Sequence, residues 1–270
     1  MSDLIISPAN PLIKRIRALA LRKHRASERA FFVEGIAPTW AAIEANPANI
    51  EVVVVAPDLL TSESARQMLE TARKQGIRIA NVDRRIFESF AGRDNPSGLG
   101  AIVRMSAIHL DKLRVTSSSL LIALDGVANP GNLGTIIRTA DAAGASGVLL
   151  IGETTDEYHP GAVKASMGTL FHVPIVHLAH SENLFAWCES SGVTVITTSA
   201  HAEQVYARVD YHLPVLFLFG SEGEGLSKEL LARGSRSVRI PMAGTATSLN
   251  LAVAVGVLLY EVRRQSGVDA

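Results

Sequence analysis

The sequence predicts an α/β protein built in two parts. Apolar runs of strand length alternate with segments of helical periodicity, a pattern typical of helices layered on a largely parallel sheet. The chain has 270 residues, more than one average domain, and its hydrophobic content of 47% can supply two cores. A polar stretch, Ser106–Ser119, separates the halves. We therefore expect one domain at residues 1–105, a linker at 106–117 and a second domain at 118–270.

The first half opens with an amphipathic basic helix whose apolar face is formed by Leu12, Ile16, Leu19 and Ala20. Beyond it, short runs rich in Val, Ile and Phe predict strands, and longer amphipathic segments predict helices. The expected elements are a strand at 31–33, a helix at 37–45, a strand at 51–55, a helix at 63–75, a strand at 77–80, a helix at 84–90 and a strand at 101–105.

The second half contains more apolar strands, separated by helices with Gly, Pro and Asn at the joins. Its last element is a nearly uninterrupted apolar run from Leu249 to Tyr260. A bilayer span needs about 20 apolar residues, so this run predicts a buried helix, with Ser248 and Asn250 in its first turn. The predicted strands lie at 120–124, 148–151, 173–176, 193–197, 215–219 and 238–240.

Composition excludes several classes of protein. The one cysteine, Cys188, excludes a disulfide framework and a CxxC zinc cluster, and it is expected in the core. The eight histidines lack HExxH spacing, and neither a GxSxG elbow nor a phosphate-binding P-loop occurs, so hydrolase, NTPase and metalloenzyme functions are not indicated. No apolar core of secretory length opens the chain. We expect a reduced, cytoplasmic protein without a membrane segment.

Charge is distributed unevenly although the net charge is zero. Residues 1–116 contain 17 Lys and Arg against 12 Asp and Glu, net +5, and residues 117–270 contain 9 against 14, net −5. A basic cluster at the start of the chain predicts nucleic-acid contact through phosphates, although a solvated helix face is also compatible with it. The alternative surface is that of Arg84, Arg85 and Arg93. The residues that we expect to contact RNA are Lys14, Arg15, Arg22 and Lys23.

Three segments of the second half place polar residues after apolar strands. Leu120–Gly144 is a strand, a loop of Gly, Asn and Pro, and a helix that carries Arg138. Val215–Ser227 is a strand that runs into a glycine-rich acidic loop. The third segment leads from Ile240 to Ser248 and Asn250, and polar side chains there are well sited to contact a ligand. The competing interpretation is that Ser248 simply caps the helix and Asn250 bonds locally.

A Rossmann nucleotide-binding domain is the natural alternative fold. Gly131 and Gly134 lie between a strand and a helix, and Glu153 follows the next strand at the distance of a ribose-binding acid. The loop nevertheless reads GNLG and lacks the three-glycine GxGxxG spacing, while Asn132 has no role in a phosphate loop. The sequence therefore disfavours a pyridine-nucleotide oxidoreductase.

The three segments together resemble the motifs of the SpoU (TrmH-like) branch of the SPOUT methyltransferases. The matching residues are Asn132 with Arg138, then Gly220-Ser221-Glu222-Gly223, then Ser248-Leu249-Asn250, in the same order and spacing. The segment 164–175 is also similar to the family's central segment. In the first half, NPLIKRIRAL, FFVEG and NPSGLGAIV are similar to the L30e-like substrate-binding domain that many of these enzymes carry.

This resemblance implies an α/β domain whose C-terminal segment forms a deep trefoil knot, an exception to the rule that chains are unknotted. It also implies that S-adenosylmethionine is bound in the knot, without a metal. Close approach of the backbone to the cofactor would explain the glycines at 220, 223 and 225. The expected cofactor contacts are Gly220, Ile240 and Leu249, with Ser199 and Met242.

The implied reaction is methyl transfer to a ribose 2′-hydroxyl of RNA. We expect Arg138 to bind the target phosphate and to stabilise the developing alkoxide; whether it also accepts the proton is left open, because arginine has a pKa above about 12. The residues that would shape the ribose pocket and orient Arg138 are Asn132, Glu222, Ser248 and Asn250.

The resemblance also implies a homodimer that packs through the catalytic domain, with the apolar helix 249–260 as a suitable surface. The two-domain layout favours ribosomal RNA as substrate, including the relatives that confer resistance to ribosome-targeting antibiotics, while transfer RNA stays open. A non-catalytic RNA-binding assembly factor is the other alternative. It is disfavoured because every motif residue is present.

Overall fold

The computed structural model describes residues 4–92 and 94–267, so Arg93 lies outside the described residues. The chain divides into two units, the first formed by Met1–Ser106 with Glu157–His172 and the second by Ala107–Asp156 with Val173–Ala270. The expected domains follow one another along the chain, and the observed units differ from them in that Glu157–His172 groups with the first unit. Both units are mixtures of helices and strands, so the α/β class is confirmed.

The strands alternate with helices along the chain. The strands are β1 (Ala30–Glu34), β2 (Ile50–Val55), β3 (Ile79–Asn81), β4 (Leu99–Arg104), β5 (Leu120–Asp125), β6 (Gly147–Ile151), β7 (Ile175–Leu178), β8 (Thr194–Thr198), β9 (Gln204–Val205), β10 (Val215–Phe219) and β11 (Arg236–Arg239). The helices are α1 (Pro11–Ala18), α2 (Arg22–Glu28), α3 (Ile36–Ala45), α4 (Glu63–Lys74), α5 (Arg84–Glu88), α6 (Pro130–Ala142), α7 (Pro160–Ser166), α8 (Ser181–Ser191), α9 (Lys228–Arg233) and α10 (Leu251–Gln265).

The first unit is built on a four-stranded sheet in the order β1-β4-β2-β3. Strand β4 is antiparallel to β1 and β2, while β3 is parallel to β2. The sequence IEVVVV of β2 is buried at five of its six positions, as expected for a central strand covered on both faces. Its side chains pack with the apolar faces of α1 and α5.

The predicted single basic helix is wrong, because the segment forms two helices, α1 and α2. The turn between them is stabilised by Arg25, which is 1% exposed and donates from Nη1 to the carbonyl oxygens of Leu19 at 3.0 Å and Ala20 at 2.8 Å. The apolar face also differs from the predicted one, because Ile13 is buried with Ile16 and Leu19, while Ala20, which follows the end of α1, is exposed.

The second unit is built on a parallel seven-stranded sheet in the order β7-β6-β5-β10-β8-β11-β9. Strand β10 has the predicted bounds, whereas β7 begins two residues later than predicted. Strand β9 consists of only two residues, Gln204 and Val205, and gives no apolar run that could have predicted it. Cys188 is buried in this core, as expected.

The parallel arrangement determines where the site can form. The carboxyl ends of parallel strands meet at one edge of a sheet, and ligands bind in the crevice outside that edge. Here the loops that follow β5, β8, β10 and β11 leave the sheet at that edge. The predicted trefoil knot depends on how the chain threads between these loops, and it stays a prediction.

Helix α10 begins at Leu251, and the Oδ1 atom of Asn250 caps it by accepting a hydrogen bond from the amide of Ala252 at 2.9 Å. The predicted placement of Ser248 and Asn250 in the first helical turn is therefore wrong, since both precede the helix. In the described ranges 4–92 and 94–267, no helix combines the length and the apolar character that a membrane crossing requires.

Candidate functional site

A cleft of about 950 Å³ lies at the carboxyl ends of β8, β10 and β11. Its size falls in the range of about 300 to 1,000 Å³ that is usual for small-molecule sites. The three separate segments singled out in the sequence all contribute to it. The predicted site residues that line the cleft are Asn132, Ser199, Gly220, Glu222, Ile240, Met242, Ser248, Leu249 and Asn250.

Asn132 owes its position to the start of α6. Asn129 caps this helix, because its Oδ1 atom accepts hydrogen bonds from the amides of Gly131 at 2.8 Å and Asn132 at 3.1 Å. Pro130 occupies the first helical turn, where its missing N–H is not needed. The cap and the proline together start the helix at a defined residue, so the side chain of Asn132 projects from its first turn into the cleft.

A chain of side-chain hydrogen bonds connects the three segments. Asn132 donates from Nδ2 to Oε1 of Glu222 at 3.0 Å, and Asn250 donates from Nδ2 to Oδ1 of Asn132 at 2.9 Å. The two ends of this chain of hydrogen bonds determine which atom of each asparagine side chain donates and which accepts. At one end the backbone N–H of Ala252 can only donate to Asn250, and at the other the ionised carboxylate of Glu222 can only accept. We call Glu222, Asn132 and Asn250 the amide relay.

The carboxylate of Glu222 is held in its charged form. Partial burial raises its pKa, but hydrogen bonds from Asn132 and from backbone amides, including those of Ala128 and Asn129, outweigh burial and lower the pKa below its ordinary 4.5. Glu222 is therefore an anion at neutral pH. It can orient donors at the cleft, but it holds no proton to donate.

The glycine-rich loop after β10 folds back on its own first residue. A Cβ atom at Gly220 would lie 2.0 Å from the carbonyl carbon of Gly225, so the loop itself requires glycine there. Gly225 has φ +70°, which also favours glycine, whereas a Cβ at Gly223 would meet nothing within 4 Å. Contacts within the protein therefore require glycine at 220 and favour it at 225, while the expectation that all three glycines make room for the cofactor stays a prediction.

Arg138 is the one predicted catalytic residue that does not line the cleft. It is exposed on α6, and it forms no hydrogen bond or ion pair with residues 4–92 and 94–267. Asn132 lies six residues earlier, so the two side chains leave the helix about 120° apart. The amide relay therefore does not hold Arg138 within a single chain.

The cleft also contains residues that sequence reasoning missed. Arg239, at the end of β11, and His201, after β8, both line it. Arg239 directly precedes Ile240, an expected cofactor contact, and this adjacency was the available signal. In the described ranges, no group of three or more His, Cys, Asp or Glu side chains is arranged to hold a metal ion.

The walls of the cleft fit a cofactor that has both an apolar and a polar part. Ile240, Leu249 and Leu258 provide apolar surface, while the loops after β8 and β10 bring backbone groups to the other side. The shape of the loop at Gly220 is fixed by its own backbone, so these groups are preorganised. The chemistry of the lining is that of a site for a nucleoside with a charged side chain.

The four residues expected to contact RNA differ in their surroundings. Lys14, Arg22 and Lys23 are exposed. Arg15 instead forms ion pairs with Glu28 at 2.6 Å and Glu51 at 2.7 Å. The hydrogen bond with Glu51 is the main reason why the pKa of Arg15 is raised. Arg15 is thus paired within the first unit, unlike the exposed Lys14 and Lys23.

Comparison with known proteins identifies both parts of the chain. Residues 119–260 match the model of the SpoU rRNA methylase family, and residues 10–101 match that of the MRM3-like substrate binding domain. The expected substrate-binding domain ahead of a SpoU domain is thereby confirmed.

Among the proteins to which the chain is similar are rRNA 2'-O-methyltransferases. A 23S rRNA (uridine(2479)-2'-O)-methyltransferase of Streptomyces viridochromogenes is 32% identical over 92% of this chain and 87% of its own. A 23S rRNA (guanosine-2'-O-)-methyltransferase of Ralstonia nicotianae is 34% identical over 75% of this chain and 83% of its own. An AdoMet-bound rRNA methyltransferase from Sinorhizobium meliloti, known from its crystal structure, has 36% sequence identity to this chain. The two structures superimpose with a TM-score of 0.87, over 100% of this chain and 99% of that one.

Proposed function

The chain belongs to the SpoU rRNA methylase family, whose cofactor is S-adenosylmethionine, and we propose that it methylates a ribose 2′-hydroxyl of ribosomal RNA. One structural observation supports this proposal most strongly. The amide relay joins three segments distant in sequence at the border of a cleft of cofactor size. The catalytic and cofactor-binding residues named from the sequence, except Arg138, converge there.

The cofactor is assigned to the cleft through Gly220, Ile240 and Leu249, with Ser199 and Met242 at its sides. S-adenosylmethionine, when bound, supplies a methyl group on a sulfonium centre that a ribose oxygen can attack. The chain contributes position, since holding two reactants in line accounts for a large share of such a rate enhancement. The apolar surface of Leu249 and Leu258 excludes water from the same space.

The amide relay and Ser248 are proposed to form the ribose side of the site. Because both amides of the relay are oriented by fixed partners, the polar surface offered to the ribose is defined before RNA binds. Arg138 is proposed to bind the phosphate next to the target ribose and to stabilise the alkoxide as the hydroxyl loses its proton. A guanidinium is suited to this because it stays charged and presents several N–H groups to phosphate.

A homodimer would bring Arg138 to the site. Helix α10 exposes Val253 by 52% and Tyr260 by 50%, and the residue that precedes the helix on the same side, Leu249, is 38% exposed and lines the cleft. An apolar stripe of this kind marks an interaction surface. A second copy seated on it would border the cleft, and we place Arg138 of the partner subunit there.

Ribosomal RNA is preferred to transfer RNA because the named 23S rRNA enzymes share most of this chain, including its first unit. Other relatives carry names that cover both tRNA and rRNA, so transfer RNA is the second candidate. A cytoplasmic site of action, where these RNAs are found, is part of the same proposal.

The test uses RNA from a strain that lacks the gene. Purified protein and tritiated S-adenosylmethionine are incubated with its ribosomal and transfer RNA, and methylated riboses are mapped as linkages resistant to alkali. We expect one new resistant linkage in ribosomal RNA. Labelling confined to transfer RNA would replace the proposed substrate, and labelling of a base would overturn the proposed chemistry.

A further inference from the structure

The turn between α1 and α2 exposes an apolar side chain. Leu21 is 54% exposed, and it lies between Ala20 and Arg22, which are exposed as well. A single exposed leucine is common on protein surfaces and indicates nothing by itself. The fixed backbone of this turn and the charge of the segment around it distinguish Leu21 from an ordinary exposed residue.

The backbone of Leu21 is held on both sides. Its N–H donates to the carbonyl oxygen of Ala18 at 2.9 Å, and its own carbonyl oxygen accepts hydrogen bonds from the amides of His24 at 3.0 Å and Arg25 at 3.2 Å. The buried guanidinium of Arg25 binds two further carbonyl oxygens of the same turn. Because the turn is already ordered, a contact made by its exposed side chain costs little backbone entropy.

The segment that contains this turn is strongly basic. Residues 4–27 contain six Lys and Arg and no Asp or Glu. The first acidic residue that follows, Glu28, is paired with Arg15 at 2.6 Å. The exposed basic residues of the segment are Lys14, Arg17, Arg22 and Lys23. Leu21 is therefore an apolar side chain within a cationic segment, which favours a partner that carries negative charge.

The combination of charge and apolar surface selects the partner. A second copy of this segment would be repelled by its like charge. An anionic membrane combines negative charge with an apolar phase, but one leucine buries too little apolar surface to anchor a protein there. Double-stranded RNA supplies phosphates and keeps its bases stacked inside the helix. Unpaired RNA supplies phosphates together with open faces of bases, against which an apolar side chain can pack.

We propose that Leu21 packs against an unpaired base of the RNA substrate, while the neighbouring Arg22 and Lys23 contact the phosphates beside that base. The inference rests on the proposed function for the presence of RNA, and on none of the residues of the cleft. It adds an apolar contact, specific for unpaired RNA, to the electrostatic contacts expected of the basic residues.

The test compares unpaired with paired RNA. Binding of polyuridine, and of its duplex with polyadenosine, is measured by filter retention. Leu21→Ser should bind polyuridine about tenfold more weakly than the parent, because it loses the apolar contact with a base, and should bind the duplex like the parent. Ile6→Ser removes an exposed apolar side chain beside the bridge between Ile5 and Val82, and it should match the parent on both RNAs. Equal polyuridine affinities of the parent and Leu21→Ser would overturn the inference.

Salt dependence separates the apolar contact from the charged ones. Packing of a leucine releases no counterions, so Leu21→Ser should lower polyuridine affinity without changing the log-log salt slope. Lys23→Gln should reduce that slope by about 0.7, the value for one phosphate contact of a single strand. A loss in Leu21→Ser that is accompanied by a reduced slope would contradict the assignment, since it would show that phosphate contacts had been lost.

An aromatic substitution should strengthen the contact. The ring of Leu21→Phe can stack on a base, so this variant should bind polyuridine more tightly than the parent and the duplex no more tightly. Weaker binding of polyuridine by Leu21→Phe would contradict the inference. Vesicles of phosphatidylserine that bind the parent more tightly than Leu21→Ser, with RNA affinities unchanged, would replace RNA by a membrane as the partner.

The outcome for Leu21 is separable from that for the cleft. A protein that methylates ribosomal RNA, although Leu21→Ser binds polyuridine like the parent, would retain the proposed function and lose this contact. A protein whose polyuridine affinity depends on Leu21, but which transfers no methyl group, would retain the contact and lose the proposed function.

Discussion

Asn250 and Asn132 are 118 residues apart in the chain, and the side-chain amide of the first donates to the side-chain oxygen of the second at 2.9 Å. The same Asn250 caps α10 through its Oδ1 atom. The competing interpretation of the sequence made Ser248 the helix cap and gave Asn250 a local bond, and the assignment of the cap to Ser248 is wrong. The structure shows that one side chain caps the helix and also extends the amide relay.

The two roles of Asn250 can be separated by substitution. Serine is as good a helix cap as asparagine but is too short to reach Asn132. Asn250→Ser should therefore keep the melting temperature of the parent while methyl transfer falls about tenfold, the effect of one lost oriented hydrogen bond. Asn250→Ala should lose both, with about 1 kcal/mol of stability. Full activity of the serine variant would show that the relay is dispensable.

The glycine-rich loop offers a matched pair of substitutions. In Gly220→Ala the added Cβ would lie 2.0 Å from backbone of the same loop, so we expect a loss of about 3 kcal/mol of stability or a displaced loop. Affinity for S-adenosylmethionine should fall with it. Gly223→Ala meets open space and should be neutral within about 0.5 kcal/mol. Thermal melting and calorimetric titration measure both, and equal behaviour of the two variants would contradict this description of the loop.

Arg138→Ala should abolish methyl transfer and leave affinity for S-adenosylmethionine nearly unchanged, because Arg138 is assigned to the RNA phosphate and the reacting oxygen and not to the cofactor. Activity and calorimetry on the same preparation provide the two values. An active variant would remove Arg138 from the mechanism.

A complementation experiment tests whether Arg138 of one subunit acts at the cleft of the other. If the proposed dimer places the arginine of one copy at the cleft of the other, mixing inactive Arg138→Ala with inactive Asn132→Ala protein creates one intact site in each mixed dimer. Random exchange should then restore about a quarter of the parent activity. No recovery in a mixture shown to contain mixed dimers would place the site within one chain.

The basic cluster is expected to separate into surface and structural residues. Replacing exposed Lys14 and Lys23 by Gln should weaken RNA binding and reduce its log-log salt slope by roughly 0.7 to 0.9 per phosphate contact. Arg15→Gln should instead lower the melting temperature, because it removes the cationic partner of Glu28 and one of the two cationic partners of Glu51. An unchanged slope in the double lysine variant would move RNA recognition to another surface.

Lowering the pH should destabilise the folded protein by protonating Glu222. Its pKa is lower in the folded protein than its ordinary 4.5, so the folded state binds fewer protons and the carboxylate stabilises the fold above that value. This contribution is lost as the pH falls through the lowered pKa. Melting temperatures recorded over this range should therefore decline more steeply for the parent than for Glu222→Gln. Parallel curves would mean that the bonds of Glu222 contribute nothing to stability.

The sequence was sufficient to predict the strands of the second sheet other than β9 and the segments that border the cleft, because buried parallel strands are continuous apolar runs and the loops after them must share one edge. The sequence could not predict features of the structure that depend on contacts between residues far apart in the chain. The break between α1 and α2 depends on where Arg25 reaches back to Leu19. The pairing of Arg15 with Glu51 joins a helix to a distant strand. The first unit includes Glu157–His172, which no local pattern assigns to it.

The central claim is that the amide relay and the cleft serve transfer of a methyl group to a ribose oxygen of ribosomal RNA. The most direct measurement is transfer from tritiated S-adenosylmethionine to ribosomal RNA of a gene-deletion strain, with the product mapped by resistance to alkali. We expect a single resistant linkage with the parent protein and none with Arg138→Ala. Folded protein that binds S-adenosylmethionine but leaves every ribose unmethylated would contradict the account.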